Sequence, residues 1–156
     1  MSAATGAPLI RPAAAADYAQ WLPLWEGYNA FYGRSGPTAL PAEITWTTWQ
    51  RFLDPAEPVH ALVAESAGRL LGLCHYLFHR STIHLERVCY LQDLYTAADA
   101  RGQGTGKALI EAAASRARAA GAARLYWLTH ETNETARRLY DRVADNSGFI
   151  VYRRQL

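Results

Sequence analysis

The spacing of apolar residues changes several times along the chain, and each change predicts an element. Leu9-Ile10-Arg11 reads as a short first strand that Pro12 ends. From Asp17 onward, Tyr18, Trp21, Leu22, Trp25, Tyr28 and Tyr32 recur at helical spacing on one face. Pro23 sits inside this pattern, so the helix either kinks there or starts there as its first turn. Gly33 and Gly36-Pro37 close it. A second helix follows Pro41, carries Ile44, Trp46, Trp49 and Phe52, and stops before Pro55. Residues 59–65 and 70–78 read as two strands joined by a turn at Ser66-Ala67-Gly68-Arg69, an antiparallel hairpin. In Val88–Thr96, Tyr90, Gln92 and Leu94 alternate with Leu91, Asp93 and Tyr95, as on a strand.

A glycine-rich loop follows, then a helix over residues 105–120 with Gly106, Leu109, Ile110, Ala113 and Ala117 on one face and Gly121 after its end. Residues 125–129 form a strand. Residues 135–143 form a short helix that Asn133 caps, and residues 149–152 form a last strand. The order is β-α-α-β-β-β-α-β-α-β. The hairpin makes the first strands antiparallel, and the helical crossovers make the later ones locally parallel. The expected class is α/β (α+β), a mixed and mostly antiparallel sheet with helices on both faces.

Composition adds bounds rather than identity. The 156 residues suit one domain over 1–156, with 1–8 as a loose tail, and half of them are hydrophobic. The net charge of +2 does not suggest nucleic-acid binding. Its distribution is uneven: residues 1–100 carry six Arg and nine Asp/Glu, while residues 101–156 carry ten Lys/Arg and five Asp/Glu. The basic part suits an anionic cofactor and the acidic part a cationic substrate. Cys74 and Cys89 lie in apolar surroundings and read as buried thiols, not a disulfide. With no signal-peptide pattern and no apolar run of roughly 18 residues, no membrane partner is expected and the default is a cytoplasmic protein.

The candidate chemistry centres on Arg101-Gly102-Gln103-Gly104-Thr105-Gly106. A glycine loop between strand and helix aims free backbone N–H groups at one spot, where the helix dipole adds positive potential. Arg101 and Lys107 bracket it. A phosphate or pyrophosphate ligand follows. A P-loop is excluded, because Ala108 follows Gly106-Lys107 and Arg101 stands where the first Gly belongs. The spacing Gly102-x-Gly104-x-Gly106 does not match the dinucleotide fingerprint either. His130-Glu131 lacks the second His of a zinc-protease motif, and the five His and two Cys show no metal-ligand spacing, so no metal is expected.

Arg101, Gly104 and Gly106 fit the pattern Arg/Gln-x-x-Gly-x-Gly/Ala, and here the sequence resembles the GNAT superfamily of acetyl-CoA-dependent N-acetyltransferases. Asn133-Glu134-Thr135-Ala136-Arg137-Arg138-Leu139-Tyr140 and then Gly148-Phe149 are similar to the second family pattern, Asn-x-x-Ala-x-x-x-Tyr…Gly-Phe, with a slightly longer insertion before Gly148 than in many members. Tyr90-Leu91-Gln92-Asp93-Leu94-Tyr95 looks like the Tyr-Leu-Glu-Asp strand of polyamine acetyltransferases, and Tyr126-Trp127-Leu128-Thr129 looks like the polyamine/histone-type subgroup.

The resemblance implies a sheet splayed at its middle and acetyl-CoA as cosubstrate. Leu94, Tyr95 and Thr96 would hold the acetyl-pantetheine arm. Gly102 to Lys107 and Arg101 would hold the pyrophosphate, and Asn133 and Ala136 would flank the arm. It also implies a homodimer and a primary amine as acceptor, polyamine-like or a protein lysine. Tyr140 would be the general acid for the departing thiolate, and a backbone N–H near Leu94 the oxyanion donor. Polyamine-type relatives carry a carboxylate at the position of Gln92, and an amide cannot accept the ammonium proton. Asp93 is the candidate base, but strand alternation puts it on the opposite face unless a bulge intervenes. Glu43, Glu86 and a water relay are further candidates. Trp25, Tyr28, Trp46 and Trp127, with Gln92, are candidates for the acceptor pocket, since aromatic faces hold cations. A non-catalytic acyl-CoA-binding domain is the alternative function; it would lack Tyr140 or an open acceptor cleft.

Overall fold

The computed structural model describes residues 6–156. Of the expected loose tail, residues 1–5 lie outside the described residues and residues 6–8 carry no regular structure. Five strands form one sheet in chain order: β1 (Leu9–Pro12), β2 (Val59–Ser66), β3 (Arg69–His79), β4 (Val88–Thr96) and β5 (Leu125–Trp127). The first three pairings are antiparallel and β4–β5 is parallel, as hairpin and crossover connections require. Four helices cover the faces: α1 (Tyr18–Phe31), α2 (Ala42–Leu53), α3 (Thr105–Ala119) and α4 (Glu134–Val143).

Alternation along the central strands divides the core in two. Val63, Leu70 and Leu73 point to α1 and α2, where Trp21, Leu24, Trp25, Tyr28 and Trp49 are buried. Leu62, Ala64, Cys74, Tyr76, Cys89 and Leu91 point to the other face and pack on Leu109, Ile110, Ala113 and Ala117 of α3. α4 adds Leu139, Tyr140 and Val143 to this second cluster. Sandwiching the sheet explains why its strands are so apolar on both faces.

Four expectations need adjusting. α1 starts at Tyr18, so Pro23 lies within the helix and not in its first turn. The stacked Trp21, Trp25 and Tyr28 rings hold the helix together across the missing N–H. Trp46 is 51% exposed on α2, edge-on to Tyr18, because its helix buries Trp49 and not the adjacent stripe. β5 stops at Trp127 instead of residue 129. Residues 149–152 form no strand: they pair with nothing among the described residues, and Phe149 is 91% exposed. Strand composition creates no strand without a neighbouring edge to bond.

Candidate active site

β4 pairs with β5 only from Cys89 to Leu91; beyond Leu91 its β5-facing edge has no partner strand. The sheet splays there, and two cavities form next to the unpaired stretch. Leu94, Tyr95 and Thr96 line one and Asp93 lines the other, while Tyr28 of α1 borders both.

The first cavity has a volume of about 570 Å³. Besides Leu94–96, its walls include Arg101, Gly102, Gly104, Thr105, Gly106 and Lys107, together with Asn133, Ala136 and Tyr140. The loop takes its shape from Gly102 (φ 73°) and Gly104 (φ 83°), in the left-handed region that a side chain resists. Gly104 is also the residue before α3, and having no side chain it leaves the first N–H groups of α3 without a side-chain acceptor. Those donors and the dipole of α3 make an anion cradle. Arg101 ties this loop to β4: its Nε–H donates to the Thr96 carbonyl at 3.1 Å, and its guanidinium lies 5.5 Å from the Tyr95 ring centre. Gln103 is exposed at the loop tip and lines neither cavity.

Asn133 caps α4. Its Oδ1 accepts from the Ala136 N–H at 3.5 Å, and its Nδ2 donates to Thr129 Oγ1 at 3.4 Å. The helix then delivers Tyr140 to the cavity wall. Its ring sits 5.4 Å from that of Trp127, edge-on, so Trp127 lines neither cavity but braces Tyr140. Burial pushes the Tyr140 phenol up to about 12, so it keeps its proton at neutral pH.

The second cavity has a volume of about 690 Å³ and is bordered by Trp25, Tyr28, Tyr90, Gln92 and Asp93. The position of Asp93 is decided by a β-bulge. His75 pairs with Asp93 and Tyr76 with Leu91, so Gln92 has no partner in β3. This extra residue resets the alternation, and Gln92 and Asp93 face the same cavity. Asp93 is 8% exposed and accepts from His75 Nδ1 at 2.9 Å. Burial first, and then the Asp93 charge, raise the Tyr28 phenol well above its ordinary range, so it stays neutral. Trp46, Glu43 and Glu86 border neither cavity. The sequence pattern did not single out His75 as the partner of Asp93, since that pairing depends on the bulge, nor Arg34, Arg51 and Arg153, which also border this cavity. Among the described residues no group of three or more His, Cys, Asp or Glu side chains is placed to hold a metal ion. None of the described helices is long and apolar enough to cross a membrane.

Residues 21–144 match the model of the acetyltransferase (GNAT) family. The chain belongs to the GNAT acetyltransferases. It is 36% identical over 140 residues to the D-amino-acid N-acetyltransferase HPA3 of Saccharomyces cerevisiae, covering 88% of this chain and 84% of that protein. A crystal structure of a probable acetyltransferase superposes with a TM-score of 0.81 at 26% identity, over 95% of this chain and 97% of the other. An aminoglycoside N-acetyltransferase in complex with CoA shares the fold at a TM-score of 0.82, with 14% identity over 99% and 98% of the two chains. This GNAT protein is thus an N-acetyltransferase that uses acetyl-CoA as cosubstrate and acts on an amine of a small molecule or peptide.

Proposed function

We propose that this single GNAT domain moves the acetyl group of acetyl-CoA directly onto a primary amine where the two cavities meet, with Asp93 as base and Tyr140 as acid. The observation that carries this reading is the bulge at Gln92, which turns Asp93 to the second cavity while Leu94 lines the first. A lysine-like amine has a pKa of about 10.4, so it arrives as ammonium without a lone pair. Asp93 accepts one proton, and the freed nitrogen attacks the thioester carbon. As the C–N bond forms, charge collects on the carbonyl oxygen, where a β4 backbone N–H near Leu94, on the edge β5 leaves uncovered, receives it. The C–S bond then breaks with its electron pair on sulfur, Tyr140 protonates the thiolate, and the nitrogen sheds its second proton to water.

The charge of the acceptor cavity bears on the substrate. Arg34, Arg51 and Arg153 border it against the one carboxylate of Asp93. A polyamine or a lysine side chain brings only positive charge into that surface, whereas an amino acid pairs its amine with a carboxylate that a guanidinium fork fits. This supports an amino acid over the polyamine-like or protein-lysine acceptor, and the likeness to the yeast D-amino-acid N-acetyltransferase supports the same class. The exposed apolar segment 149–152 supports a homodimer in which each copy covers the other's segment, and a monomer mass in solution at micromolar concentration would overturn that.

The test mixes the protein with acetyl-CoA and D- and L-amino acids, polyamines or lysine peptides, and follows thiol release. Turnover highest on amino acids is expected. Turnover confined to polyamines or peptides would overturn the acceptor class. Acetyl-CoA binding with no turnover on any amine would favour the acyl-CoA-binding domain.

A further inference from the structure

We propose that His75 and Trp21 form a tautomer lock that holds Asp93 in its proton-accepting orientation; this rests on the reading of Asp93 as base. His75 is 3% exposed. Trp21 Nε1–H points at His75 Nε2 at 3.1 Å. An indole nitrogen donates and never accepts, so Nε2 must present its lone pair. The proton therefore sits on Nδ1, which donates to Asp93 Oδ2 at 2.9 Å. A second proton on Nε2 would face the indole N–H head-on. The imidazole cannot turn away, because the ring centres of Trp25 and Phe52 lie 5.4 and 4.3 Å from its own. With Oδ2 held by His75, the carboxylate is fixed where it borders the second cavity beside Tyr28. The groups that face Asp93 across the cavity are Tyr28 and Arg34 of the α1 end, Gln92 and Tyr90 of β4, Arg51 of α2, and Arg153. Three guanidiniums border the same cavity as Asp93, and the His75 hydrogen bond holds its carboxylate in place among them. His75 is thus a positioning residue, acting through Asp93 without touching substrate.

The experiment reads the tautomer and the kinetics together. In ¹⁵N-histidine-labelled protein the His75 signals, assigned by their loss in His75→Asn, should show a protonated Nδ1 and a bare Nε2 from pH 6 to 8. An Nε2–H tautomer or an imidazolium overturns the lock whatever the activities. Trp21→Phe, which keeps an aromatic ring but removes the N–H, should move the Nε2 signal to that of a lone pair with no hydrogen-bond donor. An unmoved Nε2 signal in that variant overturns Trp21's part. His75→Phe fills the aromatic box without a donor, and its kcat should fall at least about 10-fold at unchanged KM for acetyl-CoA. His75→Asn keeps a side-chain N–H near the Nδ1 position and should recover to within about threefold of wild type. Equal kcat values for the Phe and Asn variants overturn the positioning role. Asp93→Asn separates the two readings: if it keeps full activity, Asp93 is not the base, and if it is crippled while His75→Phe is not, only the lock fails.

Discussion

Asp93→Asn tests the proposed mechanism most directly. The change is nearly isosteric, and the amide oxygen can still accept from His75 Nδ1 at the 2.9 Å separation, so the buried polar contact survives. What is lost is the proton acceptor. With an α-amine pKa of about 9.5 for an amino acid acceptor, only about one molecule in a hundred is free base at pH 7.4. Without Asp93 the enzyme must wait for that fraction, and kcat/KM falls by up to about 10², or about 3 kcal/mol of transition-state stabilisation. The sign of the pH dependence follows. Each unit of pH rise supplies about tenfold more free amine until the pH nears the amine pKa, so the deficit shrinks about tenfold per unit and closes toward pH 9.5. Initial rates of thiol release at saturating acetyl-CoA, measured for both proteins from pH 6.5 to 9.5, give the ratio directly. A deficit constant with pH would mean a structural role, and no deficit would refute the base assignment.

Two further outcomes are expected. Tyr140→Phe should lower kcat about 10² or more while acetyl-CoA affinity by calorimetry stays near wild type, because the phenol proton is used only as the thiolate leaves; equal kcat would rule out its role as acid. Asp17→Asn should destabilise the fold by about 1–3 kcal/mol at pH 7, since Arg11 grips both Asp17 oxygens at 2.7 and 2.8 Å. Those hydrogen bonds first, and then the Ala14 N–H, hold the Asp17 carboxyl below its ordinary value of 3.8. Its stabilisation is therefore fully present above about pH 4 and is lost as the pH falls through the lower folded value, so the two melting curves should converge in acid.

Much of the molecule was legible in one dimension. α2 and β4 fall where periodicity put them, and α3 ends within a residue of the expected position. Hydrophobic period and turn residues are local properties, so the chain carries them openly. The lining of the first cavity was legible for the same reason: Gly102, Gly104, Lys107 and Asn133 border it through backbone conformation and helix termini within one or two turns of their own position. Trp46 and residues 149–152 show the limit, since an apolar residue is buried only if a partner surface arrives.

The acceptor side was not legible. Gln92 and Asp93 are neighbours in sequence, and alternation separates them onto opposite faces; a single unpaired residue in the β3–β4 register brings both to one cavity. His75, eighteen positions before Asp93, and Trp21, fifty-four before His75, meet only because α1 lies on that face of the sheet. The sequence by itself therefore determined most of the elements, the glycine loop before α3 and the place of Tyr140 on α4. Only the tertiary structure decided that Asp93 borders the second cavity, because strand register and helix docking are set by the packing of the whole sheet and not by the residues that use it.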